Sequence, residues 1–150
     1  MSTGEALLTS VICIPISSAA IGYLAGKKNE RGRDIIVLVS CFAVLLCNII
    51  LAATYSDMRF SPTFSGSLQL RFAVDGFRVV MGCLAGLLWL VTTVFSFEYF
   101  SHSRNVNRYW LFNMLTFGAA MGLFYSADFY TAFIFFEMLS LTSYPMVALR

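Results

Sequence analysis

The sequence predicts an all-α, polytopic membrane protein built as a bundle of five transmembrane helices with its N-terminus outside. Two observations carry that expectation. Of 150 residues, 59% are hydrophobic and 12% are charged, with a mean hydropathy of +0.77 and 15 phenylalanines. A water-soluble domain carries about 25% charged residues. The apolar residues are also gathered into five segments of about 20 residues, each long enough to cross a bilayer core as a helix. Backbone groups in hydrocarbon must find partners within their own segment, and no segment alternates as a membrane β-barrel strand does.

The segments run about Ala6–Ala25, Ile35–Ala53, Gly76–Phe97, Trp110–Ala127 and Phe129–Leu149. The first has Glu5 and no Lys or Arg ahead of it, and its apolar run is too long for the core of a signal peptide, so it reads as a retained span. A short polar turn follows, GKKNERGRD. The second connection, Thr54 to Asp75, is long and charge-balanced, and its FSPTFSGSLQLRF stretch predicts a small surface hairpin with turns at Ser61-Pro62 and Ser65-Gly66. The third holds Arg104 and Arg108. Ser126-Ala127-Asp128 joins segments four and five tightly, with Asp128 as N-cap of the last helix.

Orientation follows from the cations. The odd-numbered loops and Arg150 hold seven Lys/Arg, whereas the second loop and the start of segment three hold three. This places the N-terminus outside and the C-terminus cytoplasmic, in a multi-pass protein of the cell inner membrane. Glycines recur four apart at Gly22/Gly26, Gly82/Gly86 and Gly118/Gly122, a spacing that lets helices approach closely. Pro15 and Pro145 remove helical bonds to the carbonyls of Val11 and Leu141 and predict mild kinks.

Several chemistries lack their residues. Cys13, Cys41, Cys47 and Cys83 are scattered through apolar segments without ligand spacing, and the single histidine, His102, has no ligand neighbours. No metal, no cofactor and no nucleic-acid partner is expected. No glycine-rich nucleotide loop is present. Enzyme activity stays open only as that of a larger complex in which this chain is non-catalytic. An enzyme working through Glu137 and His102 is disfavoured because the two lie at different depths.

Glu137 is the feature that asks for an explanation. It is the ninth residue of the fifth segment, so roughly 12 Å of helix separates it from the membrane surface, too far for a short side chain to snorkel. Tyr130, Phe133, Ser140 and Tyr144 lie on its face at offsets −7, −4, +3 and +7. Such a stripe suits a proton path or a wet seam between helices. Carboxylates in hydrocarbon exchange protons nearer neutral pH than those in water. The alternative is a structural acid that bridges helices or pairs with a cation of another chain. Asn48, Asn113 and Thr116 either continue a hydrated path or tie helices together. Arg78 is expected to snorkel outward, and Glu98 to pair with Arg104 or Arg108.

These residues bring a family into view. Asp75-Gly76 opens segment three and Glu98-Tyr99-Phe100 closes it. Arg108-Tyr109-Trp110, a Phe/Met-rich segment, and Phe136-Glu137-Met138 with Leu139-Ser140-Leu141-Thr142-Ser143-Tyr144 follow. The sequence resembles the N-terminal part of the antiporter-like subunits of respiratory NADH:quinone oxidoreductase (complex I), multisubunit Na⁺/H⁺ (Mrp-type) antiporters and membrane-bound hydrogenases. The resemblance covers essentially the whole chain and is weakest over the first two segments. It implies a proton/cation antiporter-like fold of about fourteen helices with two inverted five-helix repeats, each holding a broken helix. It also implies that Glu137 matches the acidic residue of helix five, paired with a lysine of helix seven.

The function expected is therefore an ion-translocating (H⁺ and/or Na⁺) portion of a multisubunit membrane complex, coupled to redox chemistry or to Na⁺/H⁺ exchange. Glu137 would act with Tyr130, Ser140 and Tyr144. The alternative is a purely structural assembly subunit that completes a helix bundle. No Lys or Arg lies between Val79 and Phe97 or between Tyr109 and Leu149. The partners implied are the bilayer, the other subunits of a complex I-, Mrp- or hydrogenase-like assembly, and a chain supplying the remaining helices and a basic partner for Glu137. The native-looking start favours a split or shortened subunit over a piece of a longer one.

Overall fold

The computed structural model describes residues 3–54, 58–60, 63–64, 68–100 and 106–148. Five helices dominate: α1 (Thr3–Gly26), α2 (Glu30–Thr54), α3 (Gly76–Phe100), α4 (Val106–Phe124) and α5 (Phe129–Ala148). Successive helices run antiparallel. One end of the bundle gathers the α1–α2 turn, the start of α4 and the end of α5. The opposite end carries the long second connection. Both α1 and α5 run continuously through their prolines.

Helix starts follow from local chemistry. Asn29 accepts from the Arg31 amide at 3.1 Å, which starts α2 in the polar turn several residues ahead of the apolar segment. Asp75 accepts from the Arg78 amide at 2.9 Å and opens α3. Asp128 does the same for Thr131 at 2.9 Å and opens α5. At its other end α4 stops at Phe124, because Tyr125 to Asp128 turn back instead of extending the helix.

The second connection folds into two nested antiparallel ladders. β1 (Met58–Phe60) pairs with β4 (Phe72–Val74), with Arg59 opposite Ala73. β2 (Thr63–Phe64) pairs with β3 (Leu68–Gln69). This is the expected hairpin, although its turns at Ser61-Pro62 and Ser65-Gly66 lie outside the described residues. β4 also grips the α4–α5 turn: the Ala73 amide donates to the Tyr125 carbonyl at 2.9 Å, and the Ala127 amide donates to the Arg71 carbonyl at 2.7 Å.

The core forms around α4. Its residues Asn113, Met114 and Thr116–Gly122 are all buried, and α1, α3 and α5 pack on it. Among the described residues four helices, α1, α2, α3 and α5, are long and apolar enough to cross a membrane. α4 is not among them, although its 19 residues reach about 28 Å. The reason is its position. A helix sheathed by others meets little lipid, so it can carry Asn107, Asn113 and Thr116 without exposing them to hydrocarbon. Large apolar side chains are exposed on α2 and α3, at Phe42, Leu46, Ile50, Leu84, Leu88 and Phe95, and on α5, at Phe129, Phe133 and Phe136.

All three glycine pairs lie at helix contacts. A methyl at Gly118 would press on Ile16 of α1, and one at Gly122 would overlap the Phe135 ring of α5. Gly82 lets α3 approach the Asn48 and Tyr125 side chains, and Gly86 admits Leu45. Phe135 is further held against Phe72 of β4, with ring centroids 5.8 Å apart. Trp89 stacks on Phe117 at 5.0 Å and fastens α3 to α4.

Overpacking a seam of this kind costs about 1–3 kcal/mol. Gly122→Ala should lower the unfolding stability of the detergent-solubilised protein by that amount. Gly32→Ala, whose added methyl meets only ordinary contacts, should leave it unchanged or slightly raised.

Candidate functional site

Helix α5 is rotated so that one side only meets the rest of the chain. Thr131, Phe135, Met138 and Thr142, spaced four, three and four apart, form its inner seam. Thr142 and Thr116 of α4 share a hydrogen bond of 2.9 Å, and each hydroxyl also bonds its own helix, at Met138 and Phe112. The threonine pair thus ties α4 to α5 without leaving a buried hydroxyl unsatisfied.

The opposite side of α5 carries Glu137. Tyr130 (47% exposed), Phe133 (60%), Phe136 (54%) and Tyr144 (76%) are all outward with Glu137 and Ser140. Tyr130, Ser140, Tyr144 and Glu137 therefore do share one face, as their spacing requires. The buried setting expected for Glu137 is not supplied by these helices. Phe135 is drawn inward by Gly122 and Phe72, and a residue two places further along a helix points roughly 200° away. Glu137 is thereby held on the outer surface of the bundle.

The other polar candidates have different roles. Asn48 is fully buried: its amide donates to the Val44 carbonyl at 2.8 Å and its carbonyl accepts from the Tyr125 hydroxyl. Asn48 and Thr116 are thus interhelical ties on the inner side of the bundle, away from the Glu137 face. Asn113 is buried within α4. Arg78 reaches back toward the end of the bundle that carries the second connection. It pairs with Asp75 and donates from Nε to the Ser126 carbonyl of the α4–α5 turn at 3.2 Å. His102 and Arg104 lie outside the described residues.

Tyr125 and Thr131 hold the site together without standing out in the sequence. Tyr125 had one signal, a tyrosine closing an apolar segment beside a turn. Its partner, Asn48, is 77 residues away, which no local pattern reveals. Thr131 joins two elements: its amide donates to Asp128 and its hydroxyl accepts from the Arg71 amide at 2.9 Å. Hydrogen bonds from Thr131, aided by Arg71 3.9 Å away, hold the Asp128 carboxyl below the usual carboxylate range.

Comparison with known proteins gives a consistent picture. No family model matches the chain. It is 28% identical to a Na(+)/H(+) antiporter subunit of Alkalihalophilus pseudofirmus, over 92% of this chain and 29% of that protein. It is 23% identical to an NADH-quinone oxidoreductase subunit of Pseudomonas aeruginosa, over 95% of this chain and 31% of that protein. In fold it resembles a chain of the membrane-bound sulfane sulfur reductase, an archaeal respiratory membrane complex. The TM-score is 0.80 at 24% identity, over 94% of this chain and 23% of that one. The chain thus spans less than a third of the length of each relative.

Because the Asp128 carboxyl is depressed in the folded state, its contribution is complete above the ordinary carboxylate range and is lost as pH falls through the folded value. Asp128→Ala should cost about 0.5–2 kcal/mol near neutral pH. The gap to wild type should narrow as the solution is acidified below about pH 4. Asp128→Asn, which still caps, should keep most of the stability and lose this pH dependence. Thermal unfolding in mild detergent across pH tests all three.

Proposed function

We propose, for a chain that belongs to the antiporter-like family of membrane subunits, a role in moving H⁺ or Na⁺ within a larger membrane assembly, with Glu137 as the ionisable group of this portion. The single observation that carries the reading is the outward stripe of Glu137, Tyr130, Ser140 and Tyr144 on a helix apolar enough to span a membrane. A carboxylate facing lipid near mid-bilayer costs about 2.5–3.5 kcal/mol on insertion scales. The stripe is stable there when protein covers it.

The covering element would bring a cation. The spans of this chain flanking Glu137 carry none: no Lys or Arg occurs between Tyr109 and Leu149. A basic side chain from a neighbouring helix, set against Glu137, would make a pair whose proton or cation occupancy responds to either partner. Tyr130, Ser140 and Tyr144 would extend that pair toward both membrane surfaces by hydroxyl contacts. Relatives named as an Na(+)/H(+) antiporter subunit and as an NADH-quinone oxidoreductase subunit support both a pure exchange setting and a redox-linked one.

Ion pumping by the assembled complex in liposomes, with and without Na⁺, tests the reading. Glu137→Gln keeps the shape and removes the ionisable group. Pumping should fall at least about tenfold in a complex whose subunit composition is unchanged, and the Na⁺ dependence names the ion. Pumping at the wild-type rate would make this portion a structural element that completes the bundle.

A further inference from the structure

A groove of about 400 Å³ opens over α4 where α1 and α5 flank it, at the end of the bundle that holds the α1–α2 turn. Its floor is apolar, with Leu111 and Phe112 of α4 and Pro145 of α5. Its mouth is not. Tyr23 and Arg108 line it, and the exposed Lys27 ammonium sits 4.9 Å from the centre of the Tyr23 ring. Arg108 is the third residue of α4 and Lys27 directly follows α1, so both cations lie at the depth where helices leave the hydrocarbon.

We infer that this groove binds an anionic glycerophospholipid, an acyl chain lying along the Leu111–Phe112–Pro145 floor and the phosphate meeting Arg108 and Lys27. Two features select a lipid over a further helix. The volume is no larger than a single helical turn with its side chains occupies, whereas a flexible chain fills a narrow groove along its length. Arg108 lines the mouth and Lys27 lies against Tyr23 beside it, so positive charge gathers there, matching the phosphate of a lipid with net negative charge rather than a zwitterionic one. Basic pockets between membrane helices at the interface recognise anionic headgroups in this way.

The groove meets the Glu137 face at Tyr144, which lines its edge, but its test reads bound lipid and does not depend on pumping. The intact complex is delipidated and incubated with vesicles of equal parts phosphatidylglycerol and phosphatidylcholine, and retained lipid is read by native mass spectrometry. Phosphatidylglycerol should be retained in preference. Arg108→Gln with Lys27→Gln should weaken its retention by at least about fivefold. Arg108→Lys should keep most of it. Equal retention of the two lipids, or an unchanged double variant, would overturn the proposal. A photo-crosslinking residue at Leu111 in native membranes gives an independent readout: a phospholipid adduct is expected, and a polypeptide adduct contradicts it.

Discussion

The seating of Phe135 of α5 in the notch at Gly122 of α4 fixes what the rest of this molecule presents to its surroundings. A helix has one rotational degree of freedom against its neighbour, and a large ring placed where no Cβ exists removes it. Phe72 of β4 closes the notch from the second connection, so strand, turn and helix agree on one rotation. Once Phe135 points inward, helical geometry turns Glu137 out. Every functional statement about the carboxylate inherits from that packing.

The remaining ties keep α5 at its depth. Asp128 caps it, the Arg71 amide holds the Thr131 hydroxyl, and Thr116 meets Thr142 on the C-terminal side of Glu137. Tyr125 pins the preceding turn to Asn48 of α2, and Gly82 lets α3 close over that bond. A buried amide and hydroxyl that satisfy each other are far less costly than either alone, which makes the pair selective for this one arrangement. Polar groups inside the bundle thus hold helices together, while the polar stripe on α5 faces outward.

Much of this was legible in the chain and some was not. The five helices follow from apolar segments punctuated by Asp75, Asp128 and the GKKNERGRD turn, because hydrocarbon permits so few backbone solutions. The grouping of Tyr130, Phe133, Glu137, Ser140 and Tyr144 on one face follows from helical spacing. The direction of that face does not. α5 is apolar on both sides, with Phe135 inward and Phe133 and Phe136 outward, so its pattern gives no sense of inside. The centrality of α4 was hidden for a related reason: it is the least lipid-like of the five, since its neighbours shield it. The Arg78 and Tyr125 contacts depend on residues dozens of positions away.

The central claim is that protein, not lipid, covers the outward face of α5. Spin labels placed singly at Tyr130, Phe133 and Ser140, and for comparison at Leu88 and Phe95 of α3, would report this in the assembled complex through relaxation by dissolved oxygen, which concentrates in the hydrocarbon. Strong relaxation on α3 and protection on α5 are expected. Equal relaxation on both helices would place Glu137 against lipid and contradict the claim.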